Sequence, residues 1–177
     1  MGDGVPQVCD SVILGLDNAL RTSGVALVSQ SSGKVLELAE IRTNAGDLIH
    51  KRLAYIYQQL QQLLKSDTPF THVVFEDSQY QNNADTYKRL NMVQGVIYLF
   101  CAHRKMPYTL LSPSAWRKVI HDTYGVSFGR KRKEQKEAAI KFTTEYAKTQ
   151  DITSDQADAL CIALAGRERL NGEKSAF

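Results

Sequence analysis

Cysteine is scarce in this sequence of 177 residues, which contains only Cys9, Cys101 and Cys161. Their number is odd and they lie far apart, so they match neither a disulfide framework nor the paired spacing of a zinc site. We expect three reduced thiols that are partly buried.

Long apolar runs are also missing. No stretch approaches the roughly 18 consecutive apolar residues of a membrane-spanning helix. The start of the chain, Met1 to Gly4, lacks the basic and then apolar pattern of a secretory signal. We therefore expect a protein that works inside the cell and has no membrane segment.

Acidic and basic residues nearly balance, which leaves a net charge of +3, but one segment is strongly basic. This segment has few acids among its basic residues, which are Arg130, Lys131, Arg132, Lys133, Lys136 and Lys141. Such a cluster is typical of a surface that binds a phosphate backbone. The competing interpretation is a helix start whose charges are simply solvated.

The length and the 43% hydrophobic content favour one α/β domain over residues 1–177, with a core from about 8 to 170. Apolar runs and turn residues predict five strands, at 8–17, 22–29, 34–42, 70–76 and 108–111. Helical spacing predicts helices at 47–65, 84–104, after Ser112-Pro113, at about 131–148 and at 155–169, the last capped by Thr153 or Ser154. The pattern indicates a mixed sheet covered by helices on both faces. A right-handed crossover would make the first and fourth strands parallel neighbours.

Two acidic residues stand at the ends of apolar strands in this prediction. Asp17 follows Val12 to Leu16, and Glu76 follows Val73 to Phe75. An unpaired carboxylate is strongly disfavoured in such a place, and a divalent cation is one way to keep it ionised. A turn-forming aspartate is the plainer interpretation of Asp17, whereas glutamate is a poor turn former.

Two further acids open the last predicted helix. Asp155 and Asp158 are three residues apart, which places both on one helix face. Complementing the helix dipole explains Asp155 adequately but explains Asp158 less well, since an apolar run follows it. Taken together, the four acids predict a magnesium-dependent active site.

These motifs, in this order, resemble those of the RuvC family of Holliday junction resolvases, in the ribonuclease H-like nuclease superfamily. The resemblance covers nearly the whole chain. It rests on Ile13 to Gly24, Val73 to Glu76, Asn83 to Gly95, Leu111 to Ser114 and Asp155 to Leu160.

The resemblance implies that Asp17, Glu76, Asp155 and Asp158 are catalytic and hold two Mg²⁺ ions, for which Mn²⁺ could substitute. Two ions about 3.5–4 Å apart would clamp the scissile phosphate and leave 5′-phosphate and 3′-hydroxyl ends. Arg117 and Lys133 would lie near the scissile phosphate and stabilise charge in the transition state, and Lys133 would be the catalytic lysine. DNA would be bound by Arg117, Arg130, Lys131, Arg132, Lys133 and Lys136.

One position departs from the family pattern. Members commonly carry an aromatic residue three places after the acidic strand end, where it wedges into the junction. Here that position is Gln79, and the aromatic residue is Tyr80. Both are candidates for DNA contact, and Tyr80 as a wedge is a hypothesis because strand geometry would turn it to the opposite face.

The sequence therefore predicts a metal-dependent endonuclease that resolves four-way DNA junctions by paired nicks, as a homodimer associated with the nucleoid in the cytoplasm. The dimer surface would involve the helix from Ala84 to Arg104. Alternatives are a broader nuclease of branched DNA, including a virus-encoded one, a junction-binding protein without activity, and an actin-like nucleotide-binding relative, for which the chain lacks a second lobe. No docking motif for a branch-migration motor is visible, so that partner is not predicted.

Overall fold

The protein is described by a computed structural model, which covers residues 11–63, 70–79 and 83–174. Its strands are β1 (Val12–Asp17), β2 (Thr22–Ser29), β3 (Val35–Arg42), β4 (Phe70–Glu76) and β5 (Tyr108–Leu111). Its helices are α1 (Ile49–Leu63), α2 (Ala84–Arg104), α3 (Pro113–Tyr124), α4 (Arg132–Ala147) and α5 (Ser154–Lys174).

The five strands form one sheet in the order β3-β2-β1-β4-β5. The pairs β1–β2 and β2–β3 are antiparallel, while β1–β4 and β4–β5 are parallel. The predicted mixed sheet and the parallel contact between the first and fourth strands are confirmed.

Alternation along β1 divides the core into two layers. Ile13 faces the layer formed with α3, α4 and α5. Val12, Leu14 and Leu16 face the opposite layer, which contains buried residues of α1 and α2. The sheet is therefore covered on both faces, as predicted.

The last helix differs from its prediction. The helix was expected to end near residue 169, whereas α5 continues to Lys174 and is buried on every side between 159 and 166. Small residues allow α5 to pack closely against the sheet. A β-carbon at Gly15 of β1 would lie 2.5 Å from the Ala163 β-carbon, so the bare glycine lets α5 lie directly on the sheet.

None of the helices that the structure describes is long and apolar enough to cross a bilayer. Cys101 and Cys161 are buried free thiols, and Cys9 lies outside the described residues.

Candidate active site

Two acidic residues meet at the carboxyl ends of neighbouring parallel strands. Asp17 is the last residue of β1 and Glu76 is the last residue of β4. Leu16 pairs with Phe75 in the parallel register, so the residues that follow them lie side by side. The first and fourth strands are thus neighbours, as expected, and their pairing places these two carboxylates at the same end of the sheet.

The first turn of α5 brings the other two acids to the same place. Asp17 pairs with Gly24 across β1 and β2, and Gly24 touches the backbone of Asp155. The helix begins with a capping box, in which Gln156 N–H donates to Thr153 Oγ1 at 3.2 Å and Thr153 N–H donates to Gln156 Oε1 at 3.0 Å. Of the two residues considered as the cap, Thr153 fills that role. Asp155 and Asp158 then lie on the same side of the helix start.

All four acids line a single cleft of about 520 Å³. Burial raises the pKa of Asp17 well above its usual value, and the negative charges of Glu76, Asp158 and Asp155 raise it further. Burial, together with the charge of Glu76, raises the pKa of Asp158 to about 6. Burial also raises the pKa of Glu76, against the opposing effects of Trp116 and Arg117. The carboxylates therefore destabilise each other as anions.

This donor set suits a hard divalent cation, which prefers oxygen ligands and relieves repulsion between carboxylates. Among the described residues, no group of three or more acidic, histidine or cysteine side chains is arranged to hold a metal ion. The four carboxylates instead face an open cleft.

Basic residues line the same cleft. They are Arg117, Arg130, Arg132 and Lys136. Lys136 Nζ donates to Ser154 Oγ at 3.1 Å, which holds the ammonium at the start of α5. The structure thus brings together four acids and four of the six basic residues predicted to bind DNA.

The structure does not bring Lys131 and Lys133 into this cleft. Both are exposed, and Lys133 Nζ lies 3.8 Å from Glu137 Oε1 in a solvent-exposed pair. Lys133, the predicted catalytic lysine, therefore lies on a different face of α4 from Lys136, which lines the cleft. Gln79 is exposed and lines the cleft, while Tyr80 lies outside the described residues.

Three residues that line or support the site were not identified from the sequence. Trp116 is buried in the core, where it is 1% exposed, and its Nε1–H donates to Glu76 Oε2 at 2.7 Å. Asn18 is buried in the cleft wall, and its Oδ1 accepts no hydrogen bond from the described part of the chain. Gln94 Nε2 donates to the Glu76 carbonyl and to Asp77 Oδ1, each at 3.3 Å. No sequence motif indicates the position of any of these three side chains.

A mixed sheet of this order, with acids at the ends of β1 and β4 and at the start of the last helix, defines a ribonuclease H-like nuclease. The family model described as crossover junction endodeoxyribonuclease RuvC matches residues 13–166. The chain belongs to the RuvC family, which is a family of metal-dependent nucleases.

Similar proteins include the crossover junction endodeoxyribonuclease RuvC of Rickettsia conorii, with 31% identity over 155 residues that cover 86% of this chain and 94% of the relative. RuvC of Moorella thermoacetica is 30% identical, with 86% and 89% covered.

Solved structures share the fold. Thermus thermophilus RuvC in complex with a Holliday junction substrate matches with a TM-score of 0.73, 16% identity and coverage of 92% of this chain and 96% of that one. The yeast mitochondrial Holliday junction resolvase Ydc2 matches with a TM-score of 0.57, 17% identity and coverage of 95% and 83%. The predicted family, fold and endodeoxyribonuclease class are confirmed.

Proposed function

We propose that this protein resolves four-way DNA junctions by paired, symmetric nicks, each made by hydrolysis of a phosphodiester bond. The observation that carries the proposal is the composition of the cleft, where five carboxylates, including the four predicted metal ligands, and four basic side chains line one space. Carboxylates can hold cations beside a phosphate, and arginine and lysine can bind its oxygens. Family membership and the names of the relatives support four-way junctions as the substrate.

Asp17, Glu76, Asp155 and Asp158 would hold two Mg²⁺ ions, and Mn²⁺ would substitute. When bound, the ions would activate the attacking water and neutralise the departing oxygen. The carboxylates supply hard oxygen ligands, and their mutual repulsion in the metal-free protein favours cation binding.

The basic residues of the cleft would bind the DNA strand. Arg117 and Lys136 are close enough to the acids to lower the pKa of Asp158 against the larger effect of burial. Their charges are therefore placed to stabilise a phosphate beside the carboxylates. Arg130 and Arg132 are more exposed and would track the backbone.

Two cuts related by symmetry require two sites, so we propose a homodimer that pairs through α2. Val93, Ile97 and Phe100 of this helix are buried in the core of the chain. Leu99 points outward and is 49% exposed, and Tyr108 of β5 is also exposed. A second copy would cover the exposed side chain of Leu99 on α2. We place the protein with the DNA in the cytoplasm.

The test is a cleavage assay on an immobile four-way junction, a Y-fork and a linear duplex, each in Mg²⁺, Mn²⁺ or EDTA. Wild type is expected to nick the junction symmetrically and only with metal. Asp17→Asn should abolish cutting while junction binding persists. Asp47→Asn is the matched control, because Asp47 is an exposed acid outside the cleft, and it should cut like wild type.

Equal cutting of forks and junctions would establish a broader nuclease of branched DNA instead. Gln79 favours this second candidate, since it stands in the cleft at the position where the family commonly has an aromatic wedge. No cutting of any substrate, with tight junction binding, would show a binding protein and overturn the catalytic proposal.

A further inference from the structure

Trp116 is a buried residue that contacts the acidic side of the cleft from within the core. It is 1% exposed, and its indole N–H donates to Glu76 Oε2 at 2.7 Å. Indole has one donor and no acceptor, so a buried tryptophan needs an acceptor, and here that acceptor is a carboxylate of the site. A carboxylate offers about four acceptor positions. The indole uses one and leaves the others for ligands in the cleft.

The backbone around this contact fixes both partners. Glu76 pairs with Leu111 at the end of β5, and Ser112 directly after it caps α3. Phe128 packs on the indole edge-to-face, with ring centroids 5.6 Å apart and an interplanar angle of 87°. The indole therefore has little freedom to move away from Glu76.

A cation lies on the face of the same ring. The guanidinium carbon of Arg117 is 4.6 Å from the Trp116 ring centroid. An indole has a negative face and a positive edge, so a cation over the face and an anion at the N–H edge both match its charge distribution. Arg117 thus strengthens the indole as a donor to Glu76.

We propose that Trp116 is a positioning residue, whose indole N–H holds the Glu76 carboxylate in the orientation that binds metal. The inference rests on the proposed function, because it assumes that Glu76 is a metal ligand. Outer hydrogen-bond partners of metal ligands are typically worth about 10–100-fold in metal affinity. A purely structural tryptophan would affect stability without a specific effect on metal binding.

The first test measures Mn²⁺ binding to the metal-free protein without DNA, from the electron paramagnetic resonance signal of unbound Mn²⁺. Trp116→Phe keeps an aromatic ring but removes the donor, and we expect it to raise the Mn²⁺ dissociation constant about 10–100-fold. A second variant replaces Trp116 with 3-benzothienylalanine, which preserves the shape and has sulfur in place of N–H. It should show the same loss even if the phenylalanine variant folds poorly. Wild-type affinity in the benzothienyl variant would overturn the proposal.

Ile120→Val is the control, because Ile120 lies on the same helix and in the same buried cluster as Trp116 but takes no part in the hydrogen bond to Glu76. We expect a lower thermal midpoint, from the lost methylene group, and wild-type Mn²⁺ affinity. If Ile120→Val weakens Mn²⁺ binding as much as Trp116→Phe does, the role of the tryptophan is structural and the proposal fails.

The second test uses fluorescence, since Trp116 is the only tryptophan in the sequence. Paramagnetic Mn²⁺ bound by Glu76 should quench it with the same midpoint as the resonance titration, and Glu76→Gln should remove this effect. Unchanged fluorescence at Mn²⁺ concentrations that fill the site would contradict the geometry.

These measurements separate the inference from the proposed function. If wild type cuts no DNA but Trp116→Phe still weakens Mn²⁺ binding, the function is wrong and the positioning role stands. If wild type resolves junctions and the tryptophan variants bind Mn²⁺ normally, the function stands and the positioning role is wrong.

Discussion

The backbone carbonyl of Asp155 occupies the space that a side chain at Gly24 would need. Gly24 pairs with Asp17 in the sheet, so this close contact sets the distance between the start of α5 and the end of β1. The relative position of the acids on the helix and on the sheet thus depends on one missing β-carbon.

Gly24→Ala should therefore disturb both the site and the fold. The new methyl group would push α5 away from β2, and such overpacking typically costs about 1–3 kcal/mol of unfolding free energy. We also expect weaker Mn²⁺ binding, measured beside urea unfolding. Gly172→Ala is the control, since Gly172 lies on the same helix with open space around its α-carbon, and it should leave metal binding unchanged. Wild-type metal affinity in Gly24→Ala would show that the site tolerates the shift.

The pH dependence of stability should reveal the cost of gathering the acids. Burial and the charge of Glu76 raise the folded-state pKa of Asp158 to about 6, against about 3.9 in an unfolded chain. The folded state holds this proton more tightly, so Asp158 favours folding below about pH 4, and that contribution is lost as the pH rises to about 6. Asp158→Asn should raise the unfolding free energy of metal-free protein at pH 7.5 by about 1–3 kcal/mol.

The measurement is urea unfolding in EDTA at pH 4.5 and 7.5, where the gain from Asp158→Asn should be smaller at the lower pH. Asp122→Asn is the control, because the pKa of Asp122 is shifted in the opposite direction from that of Asp158. Asp122 accepts a hydrogen bond from Lys118, which lowers its pKa, so its removal should not stabilise the protein at pH 7.5. A destabilised Asp158→Asn variant would mean that the acids do not repel each other in the metal-free state.

The sheet and the four acids could be predicted because local patterns determine them. Apolar runs end directly at Asp17 and Glu76, and the capping box of Thr153 and Gln156 marks the start of α5. Parallel pairing then brings the strand ends together, since the carboxyl ends of parallel strands meet at one edge.

Contacts between distant residues could not be predicted in the same way. The bond from Trp116 to Glu76 joins residues 40 positions apart, and no local pattern encodes it. Which of the consecutive basic residues line the cleft depends on where α4 begins. Because it begins at Arg132, Arg132 and Lys136 share a face four residues apart, while Lys133 lies on the face that carries Glu137.

The proposed dimer predicts that Leu99 is covered by a second copy. Leu99→Glu would place a charge at this exposed apolar position of α2, and we expect it to convert a dimer to a monomer in light scattering after size exclusion. Leu36→Glu is a matched control, because Leu36 is 48% exposed and lies on the edge strand β3 instead of on α2. A wild-type monomer at micromolar concentration, or a dimer that survives Leu99→Glu, would contradict pairing through α2.

The placement of two lysines on α4 predicts different kinetic effects. Lys136 donates to Ser154 at the start of α5 and lines the cleft, so Lys136→Ala should remove a charge close to the reacting phosphate. We expect the single-turnover cleavage rate at saturating protein to fall about 10–100-fold, somewhat less than the loss of a dedicated transition-state donor. Lys133→Ala should instead weaken junction binding and reduce its salt dependence by about one phosphate contact, with little change in the saturated rate. Measuring both quantities for both variants separates the two roles. A larger rate loss in Lys133→Ala would assign transition-state stabilisation to Lys133, and would require α4 to turn when DNA enters the cleft.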